Sequence, residues 1–116
     1  MKTADIIPAD IRSGRLRADM NFNQKVWALC ARVPAGKVTT YGAIARALGT
    51  RAYRAVGNAM NRNPYSPVVP CHRVVGSDGS LTGFAGGLKK KTAMLRAEGV
   101  AMRGQRVDLD VSFVKV

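Results

Sequence analysis

The sequence predicts a mainly α fold with short β elements, and three observations carry that reading. Apolar residues recur at helical spacing in several separated segments, Pro and Gly clusters punctuate the chain between them, and the β-like runs are short. At 116 residues the chain makes one compact domain. Its 47% hydrophobic and 22% charged residues exclude a disordered or collagen-like chain.

Residues 1–20 mix Pro, Gly, Arg and Asp without sustained period and read as a lead-in or tail able to pack on the domain. From Asn21, the residues Phe22, Val26, Trp27, Leu29, Cys30 and Val33 follow the spacing of an amphipathic helix with one buried face, which Pro34 and Gly36 end. Lys37-Val38-Thr39 is β-like. Thr39 or Thr40 then caps a second helix of about two turns, with Ile44, Ala45 and Leu48 as its apolar stripe. Arg51 to Arg62 reads as a third helix, with Ala52, Val56, Ala59 and Met60 inward and Arg51, Arg54, Asn58, Asn61 and Arg62 on a broad polar face. Two short helices joined by a tight turn predict a helix-turn-helix. The third helix carries Gly57 in its middle, at a cost of about 1 kcal/mol relative to Ala, which makes sense where something must approach the backbone closely. An ordinary solvated face is the other reading.

Asn63-Pro64-Tyr65-Ser66-Pro67 forms a stiff loop, and Pro70 to Arg73 reads as extended, with Cys71 and His72 on opposite sides. Val74-Val75 and a turn from Gly76 to Gly79 follow. Gly83, Gly86 and Gly87 mark a second loop. A helix runs from Leu88 to Glu98 with Leu88, Thr92 and Leu95 in register, and Gly99 closes it. The alternation of Val107, Leu109, Val111 and Phe113 suggests a strand or an apolar docking tail.

Lys and Arg number 19 against 7 Asp and Glu, giving a net charge of +12. No acidic residue stands between Asp19 and Asp78, whereas Lys25, Arg32, Lys37, Arg46, Arg51, Arg54, Arg62 and Arg73 do. Solubilising surfaces intersperse both signs, so half the chain being purely basic points to a polyanionic partner such as nucleic acid. No apolar run approaches the roughly 18–20 residues that span a bilayer, and Asp5, Asp10 and Asp19 break any leader pattern. A soluble, cytoplasmic chain without membrane contact is expected. Cys30 and Cys71 make no disulfide framework, and with His72 they fall short of the four ligands of a structural zinc, so neither metal nor cofactor is expected.

Cys71 is followed directly by the chain's one histidine, within Pro70-Cys71-His72-Arg73. Imidazole and guanidinium groups near a thiol favour the reactive thiolate. A buried structural cysteine beside a satisfied histidine fits the same residues, and both readings stay open at this level. Cys30, inside a helical core stripe, reads as structural.

The run Val69-Pro70-Cys71-His72-Arg73-Val74-Val75 resembles the active-site signature of the O6-alkylguanine-DNA alkyltransferases, the methylated-DNA–protein-cysteine methyltransferases. The resemblance extends through Val33-Pro34-Ala35-Gly36-Lys37-Val38-Thr39-Thr40-Tyr41-Gly42, Arg54-Ala55-Val56-Gly57-Asn58-Ala59-Met60, Asn63-Pro64 and Gly83 to Gly87, in order and spacing. It implies a winged-helix-like DNA-binding domain over residues 21–99, equivalent to the family's C-terminal catalytic domain, with residues 1–20 as lead-in and 100–116 as a C-terminal extension. On this resemblance the family's common N-terminal domain is expected to be missing, residues 1–20 being too short to supply it.

The implied activity is direct repair of double-stranded DNA containing O6-alkylguanine by a monomer without cofactor. The base is flipped through the minor groove and its alkyl group passes irreversibly to Cys71, once per molecule. By this resemblance His72 deprotonates Cys71 through water, Glu98 orients His72, Asn63 fixes the local turn, and Tyr41 assists the leaving guanine at N3. Pro67, the carbonyl of Val74, Phe84, Ala85 and Gly86 complete the base pocket. Arg54 fills the gap left by the base, while Thr40, Ala55, Gly57, Asn58, Met60, Asn61 and Ser77 contact DNA. Phe84 and Ala85 depart from the Tyr and Ser of many members, which predicts altered substrate range or rate. Competing readings are a non-enzymatic alkyltransferase-like module that marks damage, which would usually carry Trp in place of Cys71, a cysteine hydrolase, and a winged-helix regulator.

Overall fold

The computed structural model describes residues 8–81 and 87–116. The lead-in contributes a helix of its own, α1 (Ala9–Ser13), which Gly14 closes in the left-handed conformation at φ +76°. Ile11 is buried, and Arg32 Nε donates to the Gly14 carbonyl at 2.7 Å, so residues 9–14 are packed on α2 (Phe22–Ala31). Asn21 starts α2 with a capping box: its side chain accepts from the Gln24 amide and Gln24 returns a bond to the Asn21 amide, both at 2.9 Å. Val26, Leu29 and Cys30 form the buried stripe that their spacing predicts. Trp27 locks α2 to α4 (Tyr53–Asn61): its Nε1 donates to the Ala59 carbonyl at 2.8 Å, and its ring stands edge-on to Tyr65 with centroids 5.7 Å apart.

Between α2 and α4 lie β1 (Thr39–Thr40) and α3 (Tyr41–Ala47). Thr40 is the cap, its hydroxyl accepting from the Ala43 amide at 3.0 Å. Together α3 and α4 form the helix-turn-helix of a mainly helical domain with short strands. The third helix is shorter at both ends than its pattern suggested, and Ala52 is exposed, because it stands before the first helical turn with ψ 54° and does not share the helical face.

Cys71–Arg73 is a 3-10 turn, not the extended segment expected, and it leads into β2 (Val74–Val75). β2 pairs in parallel with β1, Thr39 opposite Val74 and Thr40 opposite Val75. This pairing ties the entrance of the helix-turn-helix to the exit of the cysteine turn. On the far side, α5 (Leu88–Ala97) buries Leu95, but Leu88 is 54% exposed.

The C-terminal alternation does not make one strand. A hairpin of β3 (Met102–Arg103) and β4 (Arg106–Val107) is followed by α6 (Leu109–Ser112), leaving Val111 and Phe113 exposed. Asp108 makes the switch, its side chain accepting from the Asp110 amide at 3.1 Å. Val38, Val75, Leu95, Val100 and Val107 form a second, smaller core beneath this region. No helix among the described residues is long and apolar enough to cross a membrane.

Candidate active site

With about three residues per turn, a 3-10 segment sends successive side chains in different directions. Cys71 turns toward the main core and the 63–69 loop, where its Sγ lies 3.7 Å from Ser66 Oγ and the residue keeps 9% of its surface exposed. Asn63 braces that loop from within, donating through Nδ2 to the Val69 carbonyl at 2.8 Å and accepting from the Tyr65 amide at 2.9 Å.

His72 points the other way, toward the C-terminal cap of α5. Its Nε2 is 3.1 Å from Glu98 Oε2, while its Nδ1 is buried without a hydrogen-bond partner among the described residues. Arg73 grips the same carboxylate twice, Nε to Oε1 at 2.9 Å and a terminal nitrogen to Oε2 at 2.5 Å, and donates to the Val33 carbonyl at 2.8 Å. The Arg73 hydrogen bonds hold Glu98 below the usual carboxylate range, with His72 adding to the effect. Burial pushes His72 below its ordinary value, and its bond to Glu98 only partly opposes this. A neutral His72 donates its Nε2 proton to Glu98 and leaves Nδ1 as a free acceptor. The cluster therefore places an oriented imidazole, held below its ordinary pKa, in the turn that carries the thiol.

A buried cation completes the surroundings. Lys91 is 1% exposed, donates from Nζ to the Val74 carbonyl at 2.7 Å, and lies 5.8 Å from the centre of the Tyr41 ring. Burial lowers it to about 8. Sequence reasoning missed Lys91, Ser66 and the clamping role of Arg73. For Lys91 a signal existed: it stands four residues before Leu95 and shares its face. Cys30 is fully buried in α2, where burial pushes its thiol up and keeps it inert.

The polar face of α4 presents Arg54, Asn58 and Asn61 to solvent, with Ala55 and Gly57 partly exposed between them. A Cβ added at Gly57 would meet nothing within 4 Å, so no packing inside the molecule requires glycine there. Ser77 and Pro67 are exposed. Thr40 and Met60, expected at the DNA surface, are 8% and 5% exposed; the Thr40 hydroxyl caps α3 and the Met60 side chain packs in the core. Phe84, Ala85 and Gly86 lie outside the described residues. No group of three or more His, Cys, Asp or Glu among the described residues is arranged to hold a metal ion.

The family described as 6-O-methylguanine DNA methyltransferase, DNA binding domain, matches residues 21–100. The chain belongs to this family. The matched span runs from the cap of α2 past Glu98 and contains Cys71, His72, Arg73 and Lys91. A methylated-DNA–protein-cysteine methyltransferase of Methanosarcina barkeri is 51% identical over 79 residues, which cover 67% of this chain and 50% of that protein. The chain thus spans about half the length of the curated relatives it matches. Among solved structures, Mycobacterium tuberculosis OGT in complex with DNA superposes with a TM-score of 0.67 at 39% identity, over 77% of this chain and 61% of that one. S. pombe Atl1, in complex with damaged DNA containing O6-carboxymethylguanine, gives 0.70 at 32% identity, over 87% of this chain and 100% of that one.

Proposed function

We propose that this chain repairs double-stranded DNA by taking the alkyl group of O6-alkylguanine onto Cys71, with residues 21–99 acting as the family's catalytic domain. The observation that carries the proposal is the buried His72, fixed on Glu98 through Nε2 with its buried Nδ1 unpartnered among the described residues, in the same short turn as a cysteine that keeps some exposure. His72 Nδ1 takes the thiol proton through a water. The sulfur attacks the alkyl carbon, the carbon–O6 bond breaks, and the electron pair leaves with the guanine. Tyr41 donates a hydrogen bond or proton at N3 to make that base a better leaving group. The thioether resists hydrolysis, so each molecule reacts once.

In this reading Pro67, the Val74 carbonyl, Phe84, Ala85 and Gly86 form the base pocket. The Val74 oxygen has two lone pairs, so the bond from Lys91 leaves it able to accept from a base. Arg54 fills the space of the extruded guanine, and Ala55, Gly57, Asn58, Asn61 and Ser77 face the minor groove. The protein acts as a cytoplasmic monomer without a cofactor.

Peptide mass spectrometry after incubation with excess oligonucleotide containing one O6-methylguanine tests this. The expected result is one methyl group on Cys71, stopping at one equivalent, and none on the Cys71→Ala variant. Retained transfer by that variant overturns the assignment. The full coverage of S. pombe Atl1 favours one second reading, a damage-recognition module. Tight, lesion-selective binding without any adduct is its mark.

A further inference from the structure

Ser66 stands at the reacting sulfur and has no part in the mechanism above. Its Oγ is 3.7 Å from Cys71 Sγ, and the two Asn63 hydrogen bonds, to Tyr65 on one side and Val69 on the other, fix the loop that carries it. We propose that the Ser66 hydroxyl is the thiolate's hydrogen-bond donor and sets how the reactivity of Cys71 depends on pH. The proposal deepens the reading of Cys71 as the nucleophile and rests on it.

In the thiol form, S–H donates to Oγ. A hydroxyl proton rotates to suit its partner, so once the sulfur is ionised the same contact becomes O–H to S⁻. Charge-assisted bonds are roughly twice as strong as neutral ones, and the contact therefore favours the thiolate over the thiol. It also draws charge from the sulfur and lowers its intrinsic nucleophilicity, with a slope of about 0.4–0.5 in logarithmic terms. These two effects dominate at opposite ends of the pH range.

Loss of the contact shrinks the thiolate population by some factor and makes the remaining thiolate more reactive by roughly the square root of that factor. Ser66→Ala then reacts more slowly where the thiol predominates and faster where the thiolate does, by about the same factor at the two ends. Among the described residues the titratable and charged groups around Cys71 include Cys30 from α2, Tyr41 from α3, Tyr65 from the 63–69 loop, Lys91 and Glu98 from α5 and its cap, and His72 and Arg73 beside it in the turn. The substitution removes none of them.

The test is alkylation of the full chain by iodoacetamide across the pH range. The sulfur–carbon bond forms, the carbon–iodine bond breaks, iodide leaves with the electron pair and the thiol proton goes to solvent. Peptide mass spectrometry reads Cys71, and the buried Cys30 reports any opening of the fold. The expected result is that the rate profiles of wild type and Ser66→Ala cross. Ser66→Thr follows wild type and Ser66→Val, of the same shape without the hydroxyl, follows Ala. Profiles that coincide, or that differ by the same factor at every pH, overturn the proposal. In parallel, the methylguanine oligonucleotide is offered to wild type. Crossing profiles without methyl transfer keep the Ser66 assignment and reject the transferase reading.

Discussion

Replacing Arg73 by Met keeps the inner, unbranched part of the side chain and removes its three side-chain hydrogen bonds among the described residues, two to Glu98 and one to the Val33 carbonyl. Taking away one partner of a fully buried ion pair costs about 3–5 kcal/mol. Here the two side chains keep 17% and 19% of their exposure, so water recovers part of that, and about 2–3 kcal/mol remains with the stranded carbonyl included. At about 4 °C per kcal/mol for a domain of this size, the melting temperature falls by about 8–12 °C. The loss depends on pH. Arg73 depresses the Glu98 pKa, so the stabilisation is fully present above the ordinary carboxylate range and disappears as pH falls through the lower folded value. Urea and thermal unfolding followed by circular dichroism, at neutral pH and near pH 3, read both effects, and Glu98→Gln with the double variant closes a cycle. A penalty below about 0.5 kcal/mol at neutral pH, within the range of ordinary surface changes, refutes the reasoning. So does a penalty of equal size in acid.

Lys91→Met leaves the Val74 carbonyl without its donor but also removes a buried charge. Because the folded chain holds the Lys91 proton less tightly, wild type gains stability relative to the variant as pH rises from about 8 to 10.5, by at most about 3 kcal/mol; a difference independent of pH in chemical denaturation would place Lys91 outside the core. Gly57→Ala fills open space on α4 and should stabilise the fold by about 0.5–1 kcal/mol. The same change should slow alkyl transfer from duplex DNA, measured by mass spectrometry, while leaving reaction with a free alkylated base unchanged; equal rates on duplex would show that nothing approaches that backbone.

Elements with a full helical period or a capping residue were legible in the sequence. Thr40 and the Val26–Leu29–Cys30 stripe each carry a local signal that the packing does not override. Helix α1 was not legible because five residues cannot display a 3.6 period. The C-terminal alternation misled because a period of two across Val107 to Phe113 spans a hairpin strand and a helical turn that Asp108 separates. At the site, sequence places Cys71 and His72 together but gives no distance to Glu98, twenty-six residues later. Lys91 was missed because a lysine is normally solvated; its burial follows from a carbonyl acceptor that only the tertiary fold supplies.

The protonation of His72 is decided by competition, and Arg73 tips it. A carboxylate 3.1 Å from an imidazole ordinarily favours the charged form, yet His72 is pushed down. Burial is the larger effect, and the Glu98 charge that would oppose it is already shared with a guanidinium bound to both oxygens. Glu98 therefore orients the ring without charging it, which is what a base needs near neutral pH. Arg73→Met frees that carboxylate and removes a cation, and both changes raise the His72 pKa. The imidazole nitrogen resonances of that variant should titrate at higher pH than in wild type. On the proposed mechanism, alkyl transfer by that variant weakens most on the acid side, where an imidazolium can no longer accept the Cys71 proton.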